Sequence, residues 1–164
     1  WSKKYNSEFY EIFSKDKVYS TKILNIERSG DKKRKDISRW SQLPELIGFF
    51  YDEIFGNIEV MPTTENIQNQ EEIKKIIKEY LLWFEFKDSK EEWFDKLKKF
   101  CVKFGYADSM KEYKTNTESY KGHLGDIAMI LRIALSGRTT TPDLYEMMQV
   151  MGEERVVSRL TKLL

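Results

Sequence analysis

Apolar residues recur at three- and four-residue spacing along almost the whole chain, and that period limits the fold to helices packed on helices. The clearest stretch runs through Ile73, Ile76, Ile77, Tyr80, Leu81 and Phe84, a continuous stripe on one helical face. Trp93, Phe94, Leu97, Phe100 and Phe104 form a second stripe, closed by Gly105. Ser89 with Glu92 three residues later matches a reciprocal capping pattern at the start of that helix. Strand-type alternation is missing, and so is any repeat. With 40% apolar residues in 164, the chain can bury a core of its own, which a disordered composition could not.

The remaining helices are read the same way. Tyr5, Phe9, Ile12 and Phe13 predict one helix, and Val18, Ile23, Leu24 and Ile26 a second, stopping at Gly30. Ser41 is a candidate cap for a third, with Pro44 in its first turn and Leu43, Leu46, Ile47, Phe50 and Ile54 on its apolar face. Residues 56–70 lose the period and contain Gly56 and Pro62, so they make the best internal boundary. Thr64 or Asn66 would cap the long helix beyond. Residues 106–120 read as irregular, a helix follows over about 124–135, another starts after Thr141 with Pro142 at its first position and reaches Val150, and a short amphipathic helix closes the chain. The expectation is an all-α fold of two consecutive helical bundles, residues 1–60 and 61–164.

The residue inventory narrows the chemistry. Cys101 is the only cysteine, so an internal disulfide is excluded and a reducing cytoplasm fits. With His123 as the only histidine, a His/Cys metal site or a His-based triad is almost excluded. The adjacent carboxylate pairs Glu91–Glu92 and Glu153–Glu154 do not face each other on a helix and read as solvated surface. We therefore propose no catalytic residue and no metal ligand from sequence. No apolar run nears the roughly 20 residues of a membrane span. A start at Trp1 instead of Met reads as an excised piece of a longer chain.

Net charge is +1, so any nucleic-acid surface must be local. Four places stand out. "DKKRKD" (31–36) sets Lys32, Lys33, Arg34 and Lys35 at a helix corner, either as a solvated turn or as a phosphate and base contact in which Arg34 supplies the planar fork. "GHLGD" (122–126) fits neither a P-loop nor a dinucleotide fingerprint and reads as a tight turn with a capping histidine. Arg132 interrupts "AMILRIAL" and must pair with a carboxylate or point into a groove. "RTTTPDLYE" (138–146) joins two apolar segments, with Thr141 as helix cap, Pro142 in the first turn and Asp143 and Glu146 complementing the helix dipole. Thr139 and Thr140 are surplus to that cap. With Arg138, they form either a surface suited to unstacked RNA bases or no more than the approach to a well-capped helix.

Together these residues carry a resemblance. "LRIALSGRTTTPDLYEMMQVMGEERVVSRL" (131–160) resembles the C-terminal signature of bacterial-type glutamyl-tRNA synthetases: Leu-Arg-x-Ala-Leu-Ser/Thr-Gly, then Thr-Pro, then Leu-Gly-Lys/Glu-Glu-Arg and a final Arg-Leu, with Met151 as a mild departure. "YKGHLGDIAMILRIAL", "RKDISRWSQLPELIGFFYDE" and "KDSKEEWFDKL" are similar to one bacterial branch of that family, and the first 30 residues match more loosely. The resemblance implies an anticodon-binding region of the α-helix-cage type. The family's catalytic Rossmann domain and its two ATP-binding signatures are not in this sequence, so ATP and Mg would belong to that domain and no cofactor to this chain. It further implies Arg34 as reader of an anticodon base, Arg132 as another anticodon-loop contact, and Thr141 and Leu144 placed against the bases. Lys32, Lys33, Lys35 and Arg138 would position phosphates. The implied partner is tRNA-Glu, with tRNA-Gln as a second candidate, bound by a cytoplasmic monomer without a membrane. Two competing readings are a helical protein-interaction domain without RNA binding and a small hydrolase. The second lacks a nucleophile–base pair.

Overall fold

The computed structural model describes residues 1–28, 33–56 and 61–164. The fold is all-α. Eleven α-helices and no strand occur among the described residues, with an isolated parallel bridge between Ala107 and His123. The chain forms two compact units: residues 1–58 with 140–152, and residues 59–139 with 153–164. They are therefore not consecutive. The expectation of an unbroken 61–164 half missed that residues 140–152, with their Leu144, Met147, Met148 and Met151 stripe, bury in the first unit.

The first unit is built from short pieces. The first expected helix is two: α1 (Ser2–Tyr5) and α2 (Ser7–Lys15), divided at Asn6, whose side chain accepts from the Phe9 amide at 3.1 Å. Asp16 caps α3 (Lys17–Asn25) through the Tyr19 amide at 2.9 Å. α3 ends well before the expected stop at Gly30, which lies outside the described residues. The third expected helix is also broken. Trp40–Gln42 forms a 3-10 turn, α4 spans Leu43–Ile47 with Pro44 in its first turn, Gly48–Phe50 is a second 3-10 turn, and α5 spans Asp52–Phe55. Ser41 lies inside the first 3-10 turn and caps nothing.

The break has a packing reason. Phe49, Phe50 and Tyr51 are all buried, and a continuous helix would send three successive side chains around the helix at 100° intervals. An extended Tyr51 lets all three turn inward. The Tyr19 hydroxyl then donates to the Phe50 carbonyl at 3.0 Å, and the Tyr51 hydroxyl hydrogen-bonds Ser20 Oγ at 2.8 Å. Ile54, placed on the apolar face by its spacing, ends up exposed.

Long, well-capped helices make the second unit. α6 (Gln70–Trp83) is capped by Asn69, not by Thr64 or Asn66. Thr64 instead turns its hydroxyl to the Ile67 amide at 3.1 Å, and Asn66 donates to Asp126 at 2.9 Å. α7 (Lys90–Phe104) has the expected reciprocal cap. The Glu92 amide donates to Ser89 Oγ at 3.3 Å, the Ser89 amide donates to Glu92 Oε2 at 2.8 Å, and Gly105 closes the helix at φ +83°. Phe94 faces solvent, unlike the rest of its stripe. Residues 106–120, read as irregular, contain α8 (Met110–Thr115), which Ser109 caps, and a 3-10 turn at Thr117–Ser119.

α9 (Leu124–Ser136) lies where the sequence put it, capped by His123. The Gly125 amide donates to His123 Nδ1 at 2.9 Å, and Asp126 accepts from the His123 amide at 2.9 Å. A Cβ on Gly125 would meet the His123 ring at 2.7 Å, so this cap requires glycine there. α11 (Glu153–Thr161) carries Arg159, 4% exposed, which donates to the Leu135 carbonyl at 2.6 Å and so supplies a cation to the α9 C-terminus. The unit's core is continuous through Ile73, Ile77, Phe100, Ile127, Ile130 and Leu160. No helix among the described residues is long and apolar enough to cross a membrane.

Candidate nucleic-acid interface

The corner that carries Arg34 begins where α3 stops. Ile26 is the helix's last, half-in residue, and Glu27 follows at φ +55°, the one non-glycine residue with positive φ among the described residues. Glycine normally takes this position because a Cβ there is strained. Glu27 is instead held by three hydrogen bonds. Its amide donates to Glu146 Oε2 at 3.1 Å, its carboxylate accepts from the Asp143 amide at 2.8 Å, and its carbonyl accepts from the Arg34 amide at 2.8 Å.

Arg34 therefore sits on a fixed backbone. Its side chain is 9% exposed, and Nε donates to Asp36 Oδ1 at 2.7 Å. Nη1 and Nη2 are buried with no hydrogen-bond acceptor. Arg28 leans toward the same carboxylate, with Nη2 4.0 Å from Asp36 Oδ1, and its Nε and Nη2 also lack an acceptor. A buried donor left without an acceptor costs about 1–3 kcal/mol. Four such nitrogens on two neighbouring guanidinium groups leave this corner short of acceptor atoms. Lys33 and Lys35 are exposed beside them, and Lys32 lies outside the described residues.

The Thr-rich stretch meets this corner through Glu27. α10 (Leu144–Met151) starts later than the sequence suggested, and its cap is Asp143, whose Oδ1 accepts from the Glu146 amide at 3.0 Å. The reason is a partner distant in sequence. The Asp143 amide is engaged by Glu27, so the backbone stays extended there and Pro142 precedes the helix instead of opening it. Thr141 is not the cap. Its hydroxyl donates to the Pro142 carbonyl at 2.8 Å. Leu144 is 4% exposed and packs in the core of the first unit, while Thr140 is open to solvent.

α3 and α10 also enclose a groove of about 640 Å³, with Val18, Ile26 and Val150 in its walls and Lys17, Lys22 and Glu146 at its rim.

The second unit holds the other candidates. Arg132, on α9, is half-buried, as is Arg138 just past the helix end. Ser136 ties that end together. Its hydroxyl contacts the Arg132 carbonyl at 2.7 Å and accepts from the Arg138 amide at 3.1 Å, and Gly137 takes the left-handed conformation at φ +70°. Cys101 is buried, and burial pushes its thiol up to about 12, so it is no nucleophile at neutral pH. Among the described residues, no group of three or more His, Cys, Asp or Glu side chains could hold a metal ion.

The sequence missed Glu27, Arg28 and Asp36. A glutamate at a position that follows a helix end carries no visible signal, because its left-handed backbone is imposed by partners more than a hundred residues away. Asp36 was visible only as the last letter of a basic run.

The chain matches the family model described as anticodon binding domain over residues 22–164. It is 40% identical over 164 residues to the glutamate–tRNA ligase of Acetivibrio thermocellus, covering all of this chain and 30% of that protein. It is 37% identical to the glutamate–tRNA ligase of Sorangium cellulosum, covering all of this chain and 28% of the relative. The glutamate–tRNA ligase of Clostridium perfringens strain SM101 is 40% identical, again over all of this chain and 30% of the relative. The chain thus spans about a third of the length of these curated relatives or slightly less. No solved structure matches it. An all-helical chain, a basic corner with unfilled guanidinium donors and a family match over residues 22–164 agree: the chain belongs to the anticodon-binding domain family.

Proposed function

We propose that this chain is the anticodon-binding part of a glutamate–tRNA ligase and that it reads the anticodon loop of tRNA-Glu, with tRNA-Gln as a second candidate. The observation that carries this reading is Arg34, nine-tenths buried, fixed by Asp36 and Glu27, with both terminal nitrogens lacking an acceptor. A fork held in this way suits an unstacked base edge. Lys33 and Lys35, exposed on either side, would hold phosphates without specifying sequence, and Lys32 would join them.

In the same reading Thr141 offers its hydroxyl near the start of α10, and Leu144, buried beneath, sets where that start lies. In the second unit, Arg132 is a further anticodon-loop contact and Arg138 a phosphate contact. Glutamate activation, with ATP and Mg, belongs to a catalytic domain outside this chain. The enzyme would work in the cytoplasm as a monomer, and this chain would bind RNA without a cofactor.

The test is a titration of the chain against tRNA-Glu and an anticodon-swapped tRNA-Glu at one fixed, moderate salt concentration. Tighter binding to the native anticodon is expected. Arg34→Ala should then reduce the preference at one anticodon position by about 1–3 kcal/mol. Equal, weak binding to both RNAs, unaffected by Arg34→Ala, overturns the reading and leaves a helical interaction module.

A further inference from the structure

Resting on that reading, we propose that Glu27 is a positioning residue for anticodon recognition. It clamps the Arg34 corner and the start of α10 at a set separation, and so determines base preference without touching RNA.

Three observations support this. First, Glu27 occupies the left-handed position after α3, where glycine would be free of strain. A side chain at such a place is held there by what it bonds. Second, its bonds go to both parts of the proposed reader. The carbonyl holds the Arg34 amide, and the carboxylate holds the amide of Asp143, the cap residue of α10. Both parts belong to the first unit. Third, the bonding is reciprocal. The Glu27 amide returns to Glu146, whose own amide is bound by Asp143, so Glu27, Asp143 and Glu146 close a ring. Such a ring resists sliding of α10 against the corner, because any slip breaks two bonds together. The negative carboxylate also stands at the positive end of α10.

The geometry further separates the backbone role from the side-chain role. Two of the three bonds use the Glu27 backbone and survive removal of the side chain, provided that the left-handed conformation is kept. Glu27→Gly keeps that conformation without strain and removes only the carboxylate. Glu27→Gln retains an acceptor oxygen at the same reach.

The experiment measures binding of wild type, Glu27→Gly and Glu27→Gln to tRNA-Glu and its anticodon-swapped form, with thermal unfolding of each protein. Glu27→Gly should lose about ten-fold in preference for the native anticodon, on the order of one bidentate base contact. Glu27→Gln should keep most of it. Amide hydrogen exchange without RNA supplies a second readout: Asp143 should exchange faster in Glu27→Gly while Arg34 stays protected. If Glu27→Gly does not fold, Glu27→Asn replaces it, since Asn tolerates the left-handed region and its shorter side chain withdraws the acceptor. A Glu27→Gly chain with wild-type preference overturns the positioning role, as does equal weakening toward both RNAs in step with lost stability. A wild-type chain without preference overturns instead the anticodon reading beneath it.

Discussion

The two units use opposite means to become helical. The second builds α6, α7 and α9 from 14, 15 and 13 residues, each opened by a side-chain cap, with glycine turning the chain in the left-handed region after α7 and α9. The first is assembled from pieces of four to nine residues, several ended by extended or 3-10 backbone. Isolated helices so short do not persist in water. They stand because Phe49, Phe50, Tyr51 and the methionines of α10 bury among them. Regular structure follows from local sequence in one unit and from distant partners in the other, and Arg34, Thr141 and Leu144 belong to the second kind.

Arg159→Ala tests this contrast most severely. It removes the buried cation from the α9 C-terminus and leaves the Leu135 carbonyl without that donor. The expected loss is about 2–3 kcal/mol, measured by denaturant unfolding. A loss below about 1 kcal/mol would mean that the long helices do not depend on such ties, and the contrast would sharpen.

The helix caps come next. Ser89→Ala in α7 and Asp143→Ala in α10 should each cost about 1 kcal/mol by the same measurement. Thr141→Ala should cost under about 0.5 kcal/mol, because the cap of α10 is Asp143 and the Thr141 hydroxyl turns to the Pro142 carbonyl. If Thr141→Ala equals Asp143→Ala, α10 starts in solution where the spacing suggested, and the account of Glu27 delaying it is wrong.

A further effect is electrostatic. The Tyr106 hydroxyl donates to Glu72 at 2.7 Å, and this bond first, then Lys121 at 3.1 Å, holds the Glu72 carboxyl below its ordinary value of 4.5. A depressed folded value makes the contribution fully present above the unfolded value and lost as pH falls through the folded one. Glu72→Gln should therefore flatten the acid limb of the stability curve below pH 4.5, by about half a kcal/mol. An unchanged acid limb would assign that slope to other carboxylates.

Legibility follows the same division. Ser89, Glu92, Gly105 and the span of α9 were readable because cap, stripe and stop lie within a few residues of one another. His123 as a cap was readable from its place before an apolar helix. The fragmentation of 43–55 was not, since three buried aromatics outvote a spacing that fits a helix equally well. Arg34 could be singled out as a lone planar fork in a lysine run, but its burial against Asp36 could not. Thr141 satisfied every local rule for a cap and lost the role to Asp143 because a carboxylate at Glu27 holds the Asp143 amide. Here local grammar placed the cap two positions too early.

The interleaving of the two units has a consequence for synthesis on the ribosome. Glu27 waits for Glu146, 119 positions later. At roughly 5–20 residues per second, α3 spends on the order of ten seconds outside the exit tunnel before its partner exists. Residues 59–139 are complete in that interval, yet their unit still needs 153–164. Neither unit can close until residues 140–152 and 153–164 respectively have emerged, and the two stretches follow directly on each other. A premature stop near residue 139 would thus leave α3's apolar face and the α9 terminus uncovered at once, a species that proteases and chaperones would recognise by its exposed apolar surface.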